Sequence, residues 1–180
     1  ALRLQQDGYR VIVLDPRNQG LSEEVDFGNR IARHSMVVHE LGQHLGLQSA
    51  AYVGHSMGAA ILWSYIDLFG TSALSKVAFV DEPISIYAHA DWSEQERREA
   101  GGTTTSPERM VAAFTTGGPV NALTTDLKVF ERSQRMDSPH YQNSESFAAA
   151  FIKNDPVALG RVLFNHTVNE WRDEVRHKIN

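Results

Sequence analysis

Residues 50–58 read Ala50-Ala51-Tyr52-Val53-Gly54-His55-Ser56-Met57-Gly58, and Ala59-Ala60-Ile61-Leu62-Trp63-Ser64-Tyr65-Ile66-Asp67-Leu68-Phe69-Gly70 follow without a break. The first four residues are a short apolar run suited to a buried strand. The run after Gly58 is longer, strongly apolar and stopped by a glycine, as a buried helix is. Between them a serine has glycines two positions to either side, the G-x-S-x-G pattern of a sharp strand-to-helix turn. Such a turn holds its central residue in a strained backbone conformation and needs small neighbours where the chain crowds itself, which Gly54 and Gly58 would supply. It also raises the Ser56 hydroxyl above the end of the strand at a helix N-terminus, where unpaired N–H groups and the helix dipole favour developing negative charge. Ser56 is therefore the candidate nucleophile and the Met57 N–H the candidate oxyanion donor, with Gly54, His55 and Gly58 as the frame of the turn.

Outward from this turn the chain alternates. Upstream, Tyr9 to Asp15 (YRVIVLD) is a short apolar segment rich in β-branched residues, entered through Gly8 and left through Pro16, and reads as a buried strand. A polar loop runs to about Arg30. From Ile31 to Leu47, apolar residues including Met36, Val37, Leu41 and Leu45 recur at helical spacing, with Gly46 as the stop. Downstream, Lys76 to Val80 reads as another buried strand, ending in Asp81-Glu82-Pro83. The order β-α-β-α-β predicts an α/β fold with a parallel sheet covered by helices on both faces, because parallel strands need crossovers that lie over the sheet. Past about Ser85 the strands cease and the chain reads as short helices. Ser93 with Glu96 forms a capping-box pattern, Ser106-Pro107 and Asp155-Pro156 are cap-plus-first-turn pairs, and Gly101-Gly102 and Gly117-Gly118 are breaks. The expected organisation is a core over 1–84 and a helical insertion over 85–180.

These features resemble the α/β-hydrolase family. Beyond the Gly54–Gly58 turn, Asp15-Pro16-Arg17-Asn18-Gln19-Gly20-Leu21-Ser22 looks like the family's D-x-R-G-x-G-x-S loop, with Asn18 in place of the usual glycine. Asparagine is the side-chain-bearing residue that next best tolerates positive φ, so the departure leaves the likeness intact. Leu45-Gly46-Leu47, the AILW run, and Val77 to Pro83 are similar to family members carrying a helical cap. The match is good over residues 1 to about 84; the rest is cap-like. The resemblance implies a Ser-acid-His triad in chain order, the acid on a later strand and the histidine later still. No such strand follows here, so the acid, the histidine and the second oxyanion donor are expected outside residues 1–180. Ala1 in place of Met, with the chain opening inside a helical pattern, suggests a processed or truncated terminus. The alternative is an acid within the chain, Asp81 or Glu82, at the end of the strand after the turn.

Among the histidines, His55 belongs to the turn and His34, His39 and His44 to the helix before it or its approach. His89, His140, His166 and His177 fall in the cap-like half, and all eight read as surface or structural residues. Met110, Phe114, Phe130, Phe147, Phe151, Leu163 and Phe164 could line a substrate pocket but are more simply the packing of cap helices. The charged run from Ser93 to Glu99 reads as a solvated helix face.

The composition sets boundaries. In 180 residues there are 42% hydrophobic and 22% charged residues, enough for a sizeable core. A net charge of -5 argues against a polyanion partner, so nucleic acid is not expected. The absence of cysteine removes thiolate nucleophiles and zinc-thiolate sites without fixing a compartment. No apolar run approaches the roughly 18 residues needed to span a bilayer, and no signal-like N-terminus is present, so a soluble protein is expected, with the cytoplasm favoured. His39 and His44 lie on different helical faces and no H-E-x-x-H or phosphate-loop pattern occurs, so neither metal nor cofactor is expected.

Together the residues and the resemblance imply a serine hydrolase acting on a carboxylic ester, lactone or similar small acyl substrate through an acyl-enzyme on Ser56. The chain by itself is expected to be nearly inert without the acid and the histidine. The same framework also hosts cofactor-free haloperoxidases or perhydrolases and C–C bond hydrolases, whereas the family's epoxide hydrolases and dehalogenases use an aspartate where Ser56 stands. A non-catalytic ligand-binding protein on the same fold is the rival from outside catalysis.

Overall fold

The computed structural model of the protein describes residues 1–102, 104, 106–115 and 155–179. Gly117-Gly118, Phe130, His140, Phe147 and Phe151 lie outside the described residues.

The chain begins with a one-turn-and-a-half helix, α1 (Leu2–Gln6), and after a long irregular stretch forms α2 (Ile31–His44). β1 (Ala50–His55), α3 (Met57–Phe69) and β2 (Leu74–Val80) follow as one β-α-β unit, and β1 and β2 pair in parallel with Tyr52 opposite Val77 and His55 opposite Val80. The fold is α/β, as expected. The helix over Ile31 ends where the sequence predicts, with Gly46 at φ 65° just beyond the C-cap.

α3 is the spine of the core. It buries every residue from Ala59 to Ile66, which explains why its sequence is apolar on all sides rather than on one stripe. Trp63 stacks on Phe79 of β2 with ring centroids 5.2 Å apart, and Tyr65 meets Tyr52 of β1 at 6.0 Å. α2 packs on α3 where Ser35 is fully buried; its hydroxyl donates to Ile61 O at 2.8 Å, so a small polar side chain lets the two helices approach and still leaves no unpaired group.

Two expectations are corrected here. Residues 9–15 form no strand: they join no sheet, and Tyr9 (65% exposed) and Val13 (73%) lie open. A strand exists only by hydrogen-bonding a neighbour, and β1 and β2 pair with each other rather than with this segment. Among the described residues the expected helical cover is found on one face of the β1–β2 pair. Tyr52 and Phe79 point towards α3, while Val53 is 71% exposed on the opposite face of β1.

Beyond β2 come α4 (Glu94–Ala100), α5 (Pro107–Phe114), α6 (Pro156–Val168) and α7 (Arg172–His177). Their boundaries follow the cap signals. Ser93 and Glu96 complete a reciprocal capping box, Ser106 accepts from Arg109 N, and Asp155 accepts from Val157 N, with proline in the first turn of α5 and of α6. Val162 of α6 and Trp171 at the head of α7 join the same buried cluster as Ala59, Ala60 and Trp63. A second small cluster, Ala88, Trp92 and Ala100, is covered by Arg172, whose guanidinium lies 3.9 Å above the Trp92 ring.

Candidate functional site at the turn between β1 and α3

Ser56 sits between β1 and α3 with φ 51° and ψ -128°, a conformation that side-chain-bearing residues rarely take and that tends to occur at functional positions. Two backbone anchors hold it. Ser56 N–H donates to Val80 O at 2.9 Å, tying the turn to the end of β2, and Ala59 N–H donates to Ser56 O at 2.7 Å, closing the first turn of the helix. The hydroxyl does not cap its own helix, so it is exposed and unengaged among the described residues. The Met57 N–H, first in α3, has no intrahelical partner by construction and lies beside it, while the Met57 side chain packs on the core. The candidate nucleophile and the candidate donor are thus adjacent at the head of α3.

The crowding expected at both glycines is found at one. A Cβ on Gly54 would overlap the carbonyl of Gly58, whereas a Cβ on Gly58 meets nothing within 4 Å. Gly58 therefore supplies the close-approaching backbone and Gly54 the missing side chain, which makes only Gly54 sterically obligatory. His55 is exposed beside the serine.

The loop over Asp15–Ser22 is cross-linked in a way that accounts for its departure from glycine. Asn18 takes φ 62° and is 3% exposed. Its Oδ1 accepts from Val25 N at 2.6 Å and its Nδ2 donates to Asn29 Oδ1 at 2.8 Å. The amide thus offsets the strain of its backbone with two hydrogen bonds that glycine could not make. Asp15 Oδ2 accepts from Leu21 N at 3.1 Å, and a Cβ on Gly20 would collide with that carboxylate.

The two alternative acids part company. Asp81 is exposed, with φ 52°. Glu82 turns inward: its side chain is 4% exposed and its Oε1 lies 3.0 Å from Nε2 of His166, whose side chain is 6% exposed. The contact is short, yet Glu82 Oε1 accepts no hydrogen bond across it, and the other ring nitrogen, His166 Nδ1, is buried without a partner among the described residues. No described histidine hydrogen-bonds the Ser56 hydroxyl. His34 is buried, and burial together with the nearby Arg17 charge lowers its pKa from 6.5 to about 4, so it is neutral at neutral pH. His39 stacks on Phe69 at 3.9 Å and His89 on Trp92 at 4.9 Å. Sequence reasoning missed the Glu82–His166 pair, since nothing local marks two residues so far apart in the chain as neighbours.

A shallow cleft of about 370 Å³ is lined by Asp26, Gly28, Asn29, Arg30, Arg161 and Asn165, none of them part of the turn. It is an open, polar dish at the head of α2, where Asn165 Oδ1 accepts from Ile31 N at 2.8 Å. Among the described residues no group of three or more His, Asp or Glu is arranged to hold a metal, and no helix is long and apolar enough to cross a membrane.

A family model for the alpha/beta hydrolase fold matches residues 3–150. A non-heme haloperoxidase of Rhodococcus erythropolis is 33% identical over 79 residues, 44% of this chain and 29% of that protein. A bifunctional esterase/perhydrolase of Acinetobacter calcoaceticus is 28% identical over 75 residues, 42% of this chain and 27% of that protein. Among solved structures, an esterase from Exiguobacterium antarcticum superposes with a TM-score of 0.68 at 19% identity, covering 96% of this chain and 60% of its own. A bromoperoxidase from Bacillus anthracis superposes with a TM-score of 0.65 at 21% identity, covering 92% of this chain and 58% of its own. The chain therefore spans less than two thirds of the proteins it matches.

Proposed function

The chain belongs to the alpha/beta hydrolase fold family, and from that premise we propose that it is the nucleophile-bearing part of a serine hydrolase acting on a carboxylic ester, lactone or similar small acyl substrate. The observation that carries this reading is the backbone of Ser56: a non-glycine residue at φ 51° on a strand-to-helix turn, with its hydroxyl exposed and spared from capping. In the proposed reaction Ser56 Oγ attacks the acyl carbon and gives up its proton to a base. The oxyanion forms against the Met57 N–H, where the α3 dipole and a free donor stabilise it, and collapse expels the alcohol to leave an acyl-serine. Water then attacks the acyl-serine and frees Ser56. Residues 85–180 act as the cap that selects the acyl group.

No base is hydrogen-bonded to Ser56 among the described residues, and because the chain spans less than two thirds of the proteins it matches, we propose that the acid and histidine of the triad lie in the part it does not span. Residues 1–180 alone then turn over an activated ester at close to the background rate. Steady-state hydrolysis of a short-chain p-nitrophenyl ester tests the reading. The full-length protein hydrolyses it and Ser56→Ala removes roughly 10³-fold or more of kcat. Equal rates for the two proteins contradict it and favour a ligand-binding role.

A second reading has a specific motive, the haloperoxidase and esterase/perhydrolase names of the two relatives. The same acyl-serine attacked by hydrogen peroxide instead of water yields a peracid, which oxidises halide without a cofactor. Adding peroxide and bromide to the ester assay separates the two: bromination of a diketone that requires both the ester and Ser56 supports perhydrolysis, and its absence restricts the protein to hydrolysis.

A further inference from the structure

The segment leaving β2 carries a series of anchors that face in two directions. Val80 O receives the Ser56 N–H at 2.9 Å. Asp81 then turns the chain at φ 52°. Next, Glu82 engages His166 at 3.0 Å, Ile84 O accepts from Trp171 N at 3.1 Å, and Ser85 forms an antiparallel bridge with Glu170. Within six residues the strap thus holds the candidate nucleophile at one end and the α6–α7 junction at the other. α6 also reaches the turn from behind. Val162, one helical turn before His166, packs in the same buried cluster as Ala59 and Ala60, the residues of α3 just after Gly58.

We propose that Glu82 and His166 are positioning residues for Ser56: their buried contact fixes α6 against the strap that bears Val80, and so holds the turn in which the serine sits. This rests on the reading of Ser56 as the nucleophile. The pair does not take part in proton transfer from Ser56. The serine hydroxyl is exposed while the imidazole is buried, no hydrogen bond joins them, and His166 Nδ1 is itself buried without a partner among the described residues. A carboxylate and an imidazole taken out of water with atoms left unpaired are also a poor way to gain stability, because an apolar pair of equal volume would hold α6 to the strap as firmly. What the polar pair contributes is one defined engagement of α6 with the strap. The strain at Asp81, between the two anchors, is the kind that persists only where its surroundings over-determine it.

The test uses the full-length protein and four variants, Glu82→Ala, Glu82→Gln, His166→Leu and Ser56→Ala, with ester kinetics and amide hydrogen exchange of residues 56–60. The expected result is a kcat lower by roughly 10- to 100-fold in Glu82→Ala and His166→Leu, the range a small misplacement of a reacting group produces. Exchange at the turn is faster in both, and Glu82→Gln, which keeps volume and a hydrogen-bonding oxygen, recovers most of the loss. A loss near 10⁴-fold in Glu82→Gln as well as Glu82→Ala, as expected for a triad acid, overturns the proposal. Unchanged kcat and exchange in variants that are merely less heat-stable overturn it equally. Should Glu82→Ala fail to fold, His166→Leu and Glu82→Gln decide between these outcomes. If the wild-type rate equals that of Ser56→Ala, the nucleophile reading has failed, while the exchange data still report whether the pair holds the turn.

Discussion

Ser56, Asn18 and Asp81 take φ values of 51°, 62° and 52°, the left-handed region that L side chains avoid, and each is retained for a different reason. Asn18 is held by what its side chain does. Replacing it with alanine keeps the unfavourable backbone and strips Val25 N–H of its acceptor, so Asn18→Ala is expected to cost about 2–3 kcal/mol, read as a lower urea midpoint at unchanged slope. Gly54 and Gly58 make a paired test of the turn. Gly54→Ala drives a methyl into the Gly58 carbonyl and is expected to lose about 1–3 kcal/mol or to leave no soluble protein. Gly58→Ala has space and gains helix propensity, so its stability should equal or exceed the wild type by up to about 1 kcal/mol. Equal losses at both positions in denaturant titrations would mean that the crowding is mutual.

Among the elements, α2 offers a pH signature. His34 is lowered to about 4 by burial and by Arg17, against 6.5 when unfolded. The unfolded chain therefore binds the proton first. The stabilising effect of the neutral ring is complete above pH 6.5, is lost progressively as pH falls from 6.5 towards 4, and amounts to at most about 3 kcal/mol. His34→Leu should flatten that part of the stability–pH curve; an unchanged slope would refute the assignment. The elements around Ser56 were legible because each has its own local signature: an apolar run before the turn, an all-round apolar helix after it, and side-chain caps at Ser93, Ser106 and Asp155. Residues 9–15 carry the same strand signature and form none, since apolar β-branched composition records a preference for burial and cannot name the strand that must hydrogen-bond to it. For the candidate site, the G-x-S-x-G pattern alone singles out Ser56 and Met57, and the roles proposed for them start from it. The roles of Gly54 and Gly58 diverge only once the Gly58 carbonyl is located, and the destination of the Glu82 carboxylate depends on α6, which no spacing in the sequence brings to β2.

At the scale of the whole molecule, the main asymmetry among the described residues is a two-stranded sheet with α3 on one face and an exposed opposite face carrying Val53 at 71% and Val80 at 42% exposure. Apolar residues in the open on a short sheet favour association. Residues 1–180 produced alone are expected to self-associate in sedimentation velocity, and Val53→Lys to shift them towards monomer; a monomeric wild-type chain at tens of micromolar, estimated from the usual aggregation range, would contradict this. The turn itself is seated on the buried helix α3, with Ser56 at its open end. The most direct measurement is therefore covalent: incubate the full-length protein with a p-nitrophenyl phosphonate and map the adduct by peptide mass spectrometry. The expected result is one stoichiometric adduct on Ser56, absent from Ser56→Ala. No adduct, or an adduct on another residue that survives in Ser56→Ala, would contradict the assignment of Ser56 as the nucleophile.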